Sequence, residues 1–326
     1  MTIHRSRLSR NQPSSLVSRL HPLIGLLVLT AASLGGCGGS PQATSFLGEK
    51  LYAPPLEQDV RREREAELAE ALASWRAMPE SEAAIIWLGR RYAYLGAYDK
   101  AIDTFTDGLD VHPESYRLLR HRGHRFITTR RLDDAVADLE RAASLAAGVP
   151  DTVEPDGLPN ARNLPRSTTH TNIFYHLALA RYLQGRYAQA ANAWQRCVEL
   201  SSNDDMDVAA RYWLFIARTR QGDADKARAA LDPISEDMDV IENGTYHRLL
   251  LLFKGALATN EVFKPDGDEA IQSATAAYGI AIWHELQGDD EARDAVIDAI
   301  LAGKAWSAFG FIAAEADRAR ELAVAD

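Results

Sequence analysis

The 326-residue chain has only two cysteines, Cys37 and Cys197, too few for a disulfide framework. Its extended apolar run, residues 23–34, would reach about 18 Å as a helix, well short of an apolar bilayer core of about 30 Å. Base is not in surplus: 36 Lys and Arg stand against 46 Asp and Glu, a net charge of −10. That balance argues against nucleic acid as a partner, because phosphate binding draws on clustered Lys and Arg. No run of alternating β-branched residues suggests a sheet. G-x-S-x-G, Walker and G-x-G-x-x-G motifs are all missing, as are a Cys pair and H-E-x-x-H. No reaction, metal or cofactor is therefore expected. What is present, 46% hydrophobic and 25% charged residues, is ordinary globular usage.

The first 36 residues hold Arg5, Arg7, Arg10 and Arg19 and no acid, so their removal would take the net charge from −10 to −14. A positive start, a short apolar run and small residues after it describe a secretory signal. The ending Leu34-Gly35-Gly36-Cys37 resembles the bacterial lipobox. The resemblance implies cleavage before Cys37, acylation of that cysteine and a lipid-bilayer anchor; an ordinary secretory signal with a chance cysteine is the alternative. Gly38, where an Asp would favour the inner membrane, points to the outer membrane facing the periplasm. Residues 37–55, rich in Gly, Ser, Pro and Ala, read as a flexible tether.

From residue 56 onward apolar residues recur at helical spacing, so an all-α domain is expected over 56–326. The series Ile85, Leu88, Gly89, Tyr92, Gly96, Tyr98, Ala101, Phe105, Gly108 and Pro113 is followed one period later. The second series is Leu119, Gly123, Phe126, Leu132, Ala135, Leu139 and Ala142. This pattern resembles the tetratricopeptide repeat, a 34-residue helix–turn–helix unit. The resemblance implies a right-handed α-solenoid of helix hairpins. Clear repeats span 82–115 and 116–149, and looser ones 171–204, 208–237 and 274–303, the last with a turn one residue shorter. An apolar helix is expected over 245–259 and a C-terminal capping helix over 305–322. Residues 148–168 interrupt the array with four prolines, which forbid a regular helix. Such an insertion is either functional or packed harmlessly along the outer wall.

The first helix of the second repeat is crowded with base: Arg117, Arg120, His121, Arg122, His124 and Arg125. Leu119, Gly123 and Phe126 fall on its packing stripe, Arg117, Arg120 and His124 share another face, and Arg125 lies off that face. In the tetratricopeptide family the shared face lines a concave peptide groove. Carried over by register, the groove comprises Arg90 and Tyr94, then Arg117, Arg120 and His124, then Asn172, Tyr175 and Tyr212. Arginine forks match carboxylates and tyrosines give rigid amphipathic area, so the implied ligand is a protein or peptide with a carboxylate or acidic segment. The competing reading is a solvated basic face paired to Asp133, Asp134 and Asp138. His121 and His124, with His170 and His176, could only in principle approach a metal set. Cys197 falls at a small-residue position beside Trp194, where a buried, inert thiol is expected. The run 264–269 and the sequon at Asn243 are explained by a helix-initiating turn and by chance.

Three functions follow. The first is a membrane-tethered, non-enzymatic adaptor of the bacterial envelope that binds peptides in its concave groove. The second is an envelope enzyme or small-anion binder using the Arg/His cluster, marked by a pocket closed over Arg120 and His124. The third is a structural protein without a dedicated ligand.

Overall fold

The computed structural model describes residues 39–262 and 269–325, with side chains described over 39–262 and 274–324. The expected leader, Cys37 and residues 264–268 lie outside the described residues. The remainder is all-α apart from one small hairpin of β1 (Ala43–Thr44) and β2 (Lys50–Leu51).

A lone helix α1 (Gln58–Ala77) leads into the first repeat, α2 (Glu82–Tyr94) and α3 (Tyr98–Val111). The second repeat is α4 (Tyr116–Thr128) and α5 (Leu132–Ala146). After the insertion come α6 (Thr169–Leu183) with α7 (Tyr187–Leu200), and α8 (Asp204–Arg220) with α9 (Ala224–Leu231). Then follow α10 (Gly244–Phe253), the short α11 (Thr259–Val262), the hairpin α12 (Glu269–Gln287) with α13 (Asp290–Leu301), and α14 (Phe309–Ala325). The helix expected over 245–259 is cut short. Gly255 takes φ +79°, the left-handed conformation that ends a helix.

Local chemistry explains the boundaries. Ser81 and Ser115 open α2 and α4 by accepting hydrogen bonds from the amides of Ala84 and Leu118, and Thr168 opens α6 with a capping box. Within each repeat the helices pack through missing side chains. A Cβ on Gly108 would sit 2.7 Å from Ile85 Cγ2, and one on Gly123 2.7 Å from Leu139 Cγ. The first helices of successive hairpins also touch one another, α2 with α4, α4 with α6 and α6 with α8, which makes them the inner layer.

The two ends of the array meet. Helix α14 covers the last hairpin, as a capping helix should, but it also reaches across to α6. Its Ile312, Ala313 and Ala314 are fully buried. The expected tether is a correction: residues 42–54 are docked, not free. The Phe46 amide donates to Glu315 Oε1 at 2.6 Å, Trp306 Nε1 donates to Tyr52 O at 2.7 Å, and Leu51 joins the core. Phe46 and Leu51 supply apolar anchors that the Gly/Ser/Pro composition concealed. Among the described residues no helix is long and apolar enough to cross a membrane.

Candidate functional site

The basic face of α4 does meet a carboxylate, and the chain supplies it. Residues 148–168 fold against the inner layer, not the outer wall. Their two limbs are joined by a bridge between Val153 and Thr168 and by hydrogen bonds from Glu154 N to Ser167 O and Thr169 N to Thr152 O. This clasp inserts Glu154, itself buried, between α4 and α6. Arg120 pairs with Glu154 Oε1 at 3.0 Å, and Asn172 Nδ2 donates to Oε2 at 3.0 Å. Arg120 also contacts His121 Nδ1 at 2.8 Å, and His121 stacks on Phe105. Further along, Arg90 donates to Pro155 O at 2.8 Å, and Arg91 to Gly157 O at 3.2 Å. Arg117 reaches Glu82 and Thr152, at 3.5 and 3.4 Å.

The expected open groove is thus corrected residue by residue. Arg90, Arg117, Arg120 and Asn172 lie on the expected face, and each has a partner in the insertion or in Glu82. Tyr175 and Tyr212 are buried in the core. Tyr175 donates to the hydroxyl of Tyr246 at 3.2 Å. Tyr212 packs against Tyr246 and Phe253, because α10 lies where an open groove would continue. Of the eight residues, Tyr94 and His124 line one shared space.

That space is a cavity of about 940 Å³ between the inner ends of α2 and α4 on one side and α12–α14 on the other. Its far wall is built from small side chains, Ala274 and Ala277 on α12, and Ala295 and Ala299 on α13, with Ile300 and Phe311 behind them. Pro54, Leu56 and Leu158 close its edge. The near wall carries the polar groups Arg64, Tyr94, His124, Arg125 and Thr128. Lys304 and Ser307 come from the loop before α14. Among the described lining residues there is no Asp, Glu, Asn or Gln.

Arg125, which the register leaves off the face of Arg117 and Arg120, opens into the cavity. Its guanidinium lies 5.6 Å from the Tyr98 ring, and no hydrogen bond or ion pair joins it to any described residue. Burial lowers its pKa to about 10. The His124 ring beside it packs at a tilt against His176, with centroids 4.1 Å apart, and against Phe309, at 5.5 Å. Burial, and then the positive charge of Arg125, hold His124 well below the ordinary histidine range. Tyr94 accepts from Arg90 Nε and Nη2, at 3.2 and 3.1 Å, which leaves its own O–H free to donate.

Two further groups matter. Arg130 occupies the turn position held by Gly96, Gly185 and Gly222 in other hairpins, and takes φ +66°. Its guanidinium is buried against Glu315 of α14 at 2.7 Å and donates to Trp306 O at 2.8 Å. The missing turn glycine was the available sequence signal. Cys197 is buried as expected, with its thiol pushed up to about 12 by burial.

No known family profile matches the chain, and no curated protein sequence matches it. Solved structures with partial similarity include MamA, at 15% identity, covering 53% of this chain and 84% of that one, with a TM-score of 0.39. Another is YrrB, described as a TPR protein with an unusual peptide-binding site, at 13% identity, 76% and 97% coverage and a TM-score of 0.40. A MamA RS-1 double mutant gives 18% identity, 52% and 82% coverage and a TM-score of 0.40.

Proposed function

We propose that the chain is a membrane-tethered repeat scaffold of the bacterial envelope that binds a partner without converting it. Its binding site is the cavity at Arg125. The observation that supports this reading is the contrast among the arginines. Arg90, Arg117 and Arg120 have carbonyl or carboxylate partners within the chain, whereas the half-buried Arg125 faces an apolar cavity with no described counter-ion. An anion placed there would gain a charge-assisted contact in apolar surroundings.

Anchoring through acylated Cys37, on the periplasmic side of the outer membrane, belongs to the same proposal and rests on the lipobox resemblance alone. With the groove filled by residues 148–168, a partner's carboxylate enters at Arg125 instead of Arg120. The test is affinity capture from solubilised membranes using wild type, Arg125→Gln and the cavity-filling Ala299→Phe. Both variants should lose the partner that wild type retains. Retention by both would overturn the site. For the anchor, a clickable fatty acid should label wild type and not Cys37→Ser; equal labelling would remove it.

A further inference from the structure

Resting on that cavity reading, we infer that its ligand is a single-headed anionic amphiphile: an unbranched acyl chain ending in one carboxylate, held with the carboxylate at Arg125 and the chain along α12 and α13. The inference comes from matching hydrogen-bond supply to demand. The charged groups of the described lining residues are all cationic, Arg64, Arg125 and Lys304, and Tyr94 has a spare O–H to give. Acceptors are scarce. Arg64 already donates to Tyr94 O at 2.6 Å, and Thr128 donates to the His124 carbonyl at 3.2 Å. Among the described lining residues the side-chain acceptors left are the hydroxyls of Tyr98, Thr128 and Ser307 and one His124 nitrogen, with no side-chain amide or carboxylate.

A peptide brings a backbone N–H with nearly every residue, and each must find an acceptor when buried. The described side chains of this cavity offer few acceptors for them. An acyl chain brings none, and its carboxylate is acceptor-only, the complement of a donor-rich end. The rest of the lining suits a methylene chain. Four alanines on two adjacent helices leave a smooth apolar wall, and the volume lies at the upper end of the range for small-ligand pockets. Only one guanidinium is both unpartnered and set into the near wall, which matches one negative charge rather than two. Lys304, which is exposed, and Arg64 stand nearer solvent and assist entry.

The test uses membranes of cells expressing the full chain and a hexadecanoic acid bearing a terminal diazirine. Photolabelling should map to peptides within 274–311. Excess palmitate should compete. Hexadecanol, hexadecyl phosphate and an apolar hexapeptide with a free C-terminus should compete at least about tenfold less well. Arg125→Gln should lower labelling about tenfold, the effect of a lost charge-assisted contact, and Arg125→Lys should restore part of it. Arg196→Gln, on the exposed side of α7, should label as wild type. Ala299→Phe should abolish labelling without touching charge. If no probe labels the cavity peptides in wild type, the ligand class fails, while the cavity reading falls only if Arg125→Gln and Ala299→Phe also retain the captured partner. If Ala299→Phe blocks labelling but hexadecanol, hexadecyl phosphate or the peptide competes as well as palmitate, the cavity stands and the acyl carboxylate is overturned. Labelling of Arg125→Gln equal to wild type overturns the assignment of the head group.

Discussion

Glu154→Ala probes the clasp that fills the groove. The substitution removes the 3.0 Å ion pair to Arg120, the 3.0 Å hydrogen bond from Asn172, and the carboxylate 3.7 Å from His121 Nε2. Arg120 is left buried with His121 Nδ1 as its one side-chain partner among the described residues. Breaking a buried pair by deleting one member costs about 3–5 kcal/mol, because the other charge stays desolvated. The chain has one way to lessen that cost, which is to release residues 151–158 and let water reach Arg120. The two responses are distinguishable. A loss of 3 kcal/mol or more corresponds to a thermal midpoint about 6 °C lower or more, using roughly 2–4 °C per kcal/mol for a large domain. Release would show instead as new tryptic cleavage at Arg162 and Arg166, with a smaller shift. Replacing both partners with apolar residues, Glu154→Leu with Arg120→Met, should recover most of the loss, since a buried pair is close to neutral against a hydrophobic pair. A midpoint and a cleavage pattern both unchanged in Glu154→Ala would refute the internal pairing.

The remaining predictions concern protonation, packing and the closure of the array. His121, His124 and His176 are held well below the ordinary histidine range, by burial first and then chiefly by neighbouring arginines. The unfolded chain therefore takes up protons below about pH 6.5 that the folded chain does not, so stability should fall as pH drops through that value, by up to about 1.4 kcal/mol per unit for each ring. The thermal midpoint should drop between pH 7.5 and 5.5, and less in His124→Gln/His176→Gln; an identical drop in both proteins would refute this. Ala101 has no exposed surface, so Ala101→Leu should overpack the α2–α3 contact and cost about 1–3 kcal/mol in urea unfolding; an unchanged midpoint would contradict the repeat register. Arg130→Gly removes a left-handed backbone strain of about 1–3 kcal/mol but strands the buried Glu315, at about 3–5 kcal/mol. The net should be destabilising, and Arg130→Gly/Glu315→Leu should be restored toward wild type; a stabilised single variant would show that the ion pair contributes nothing.

The hairpins were legible because their information is local and repeated. Ser81, Ser115 and Thr168 sit where their side chains cap the next helix, and Gly96, Gly185 and Gly222 sit where the turn needs φ > 0. The eight groove positions were placed on the correct helices by the same register, and the face bearing Arg90, Arg117 and Arg120 is indeed the inner one. What register cannot carry is which distant segment returns to that face. Glu154 lies in a proline-rich stretch with no periodicity, and its pairing with Arg120 depends on a clasp between residues 152–154 and 167–169. Phe46 and Leu51 were lost in a segment whose average composition reads as a linker, although two apolar side chains are enough to dock a short hairpin.

The reversal between Arg120 and Arg125 has a single geometric cause. Successive residues on a helix are turned by about 100°, so a face that points into an open groove at Arg120 cannot also contain Arg125. In an open array that argument would leave Arg125 in a side wall. Here α14 reaches across to α6, and Phe309 packs against His124 and His176, so the last hairpin stands opposite the C-terminal end of α4. The insertion fills the space before the N-terminal half of that helix, and the cavity lies before its C-terminal half, at His124, Arg125 and Thr128. One helix thus presents an ion-paired arginine to a carboxylate of its own chain and an arginine with no described counter-ion to an apolar cavity. The first accounts for why a peptide groove is not available. The second marks where an external carboxylate would gain most, because Arg125 stands half-buried among apolar side chains and its charge meets no described competitor.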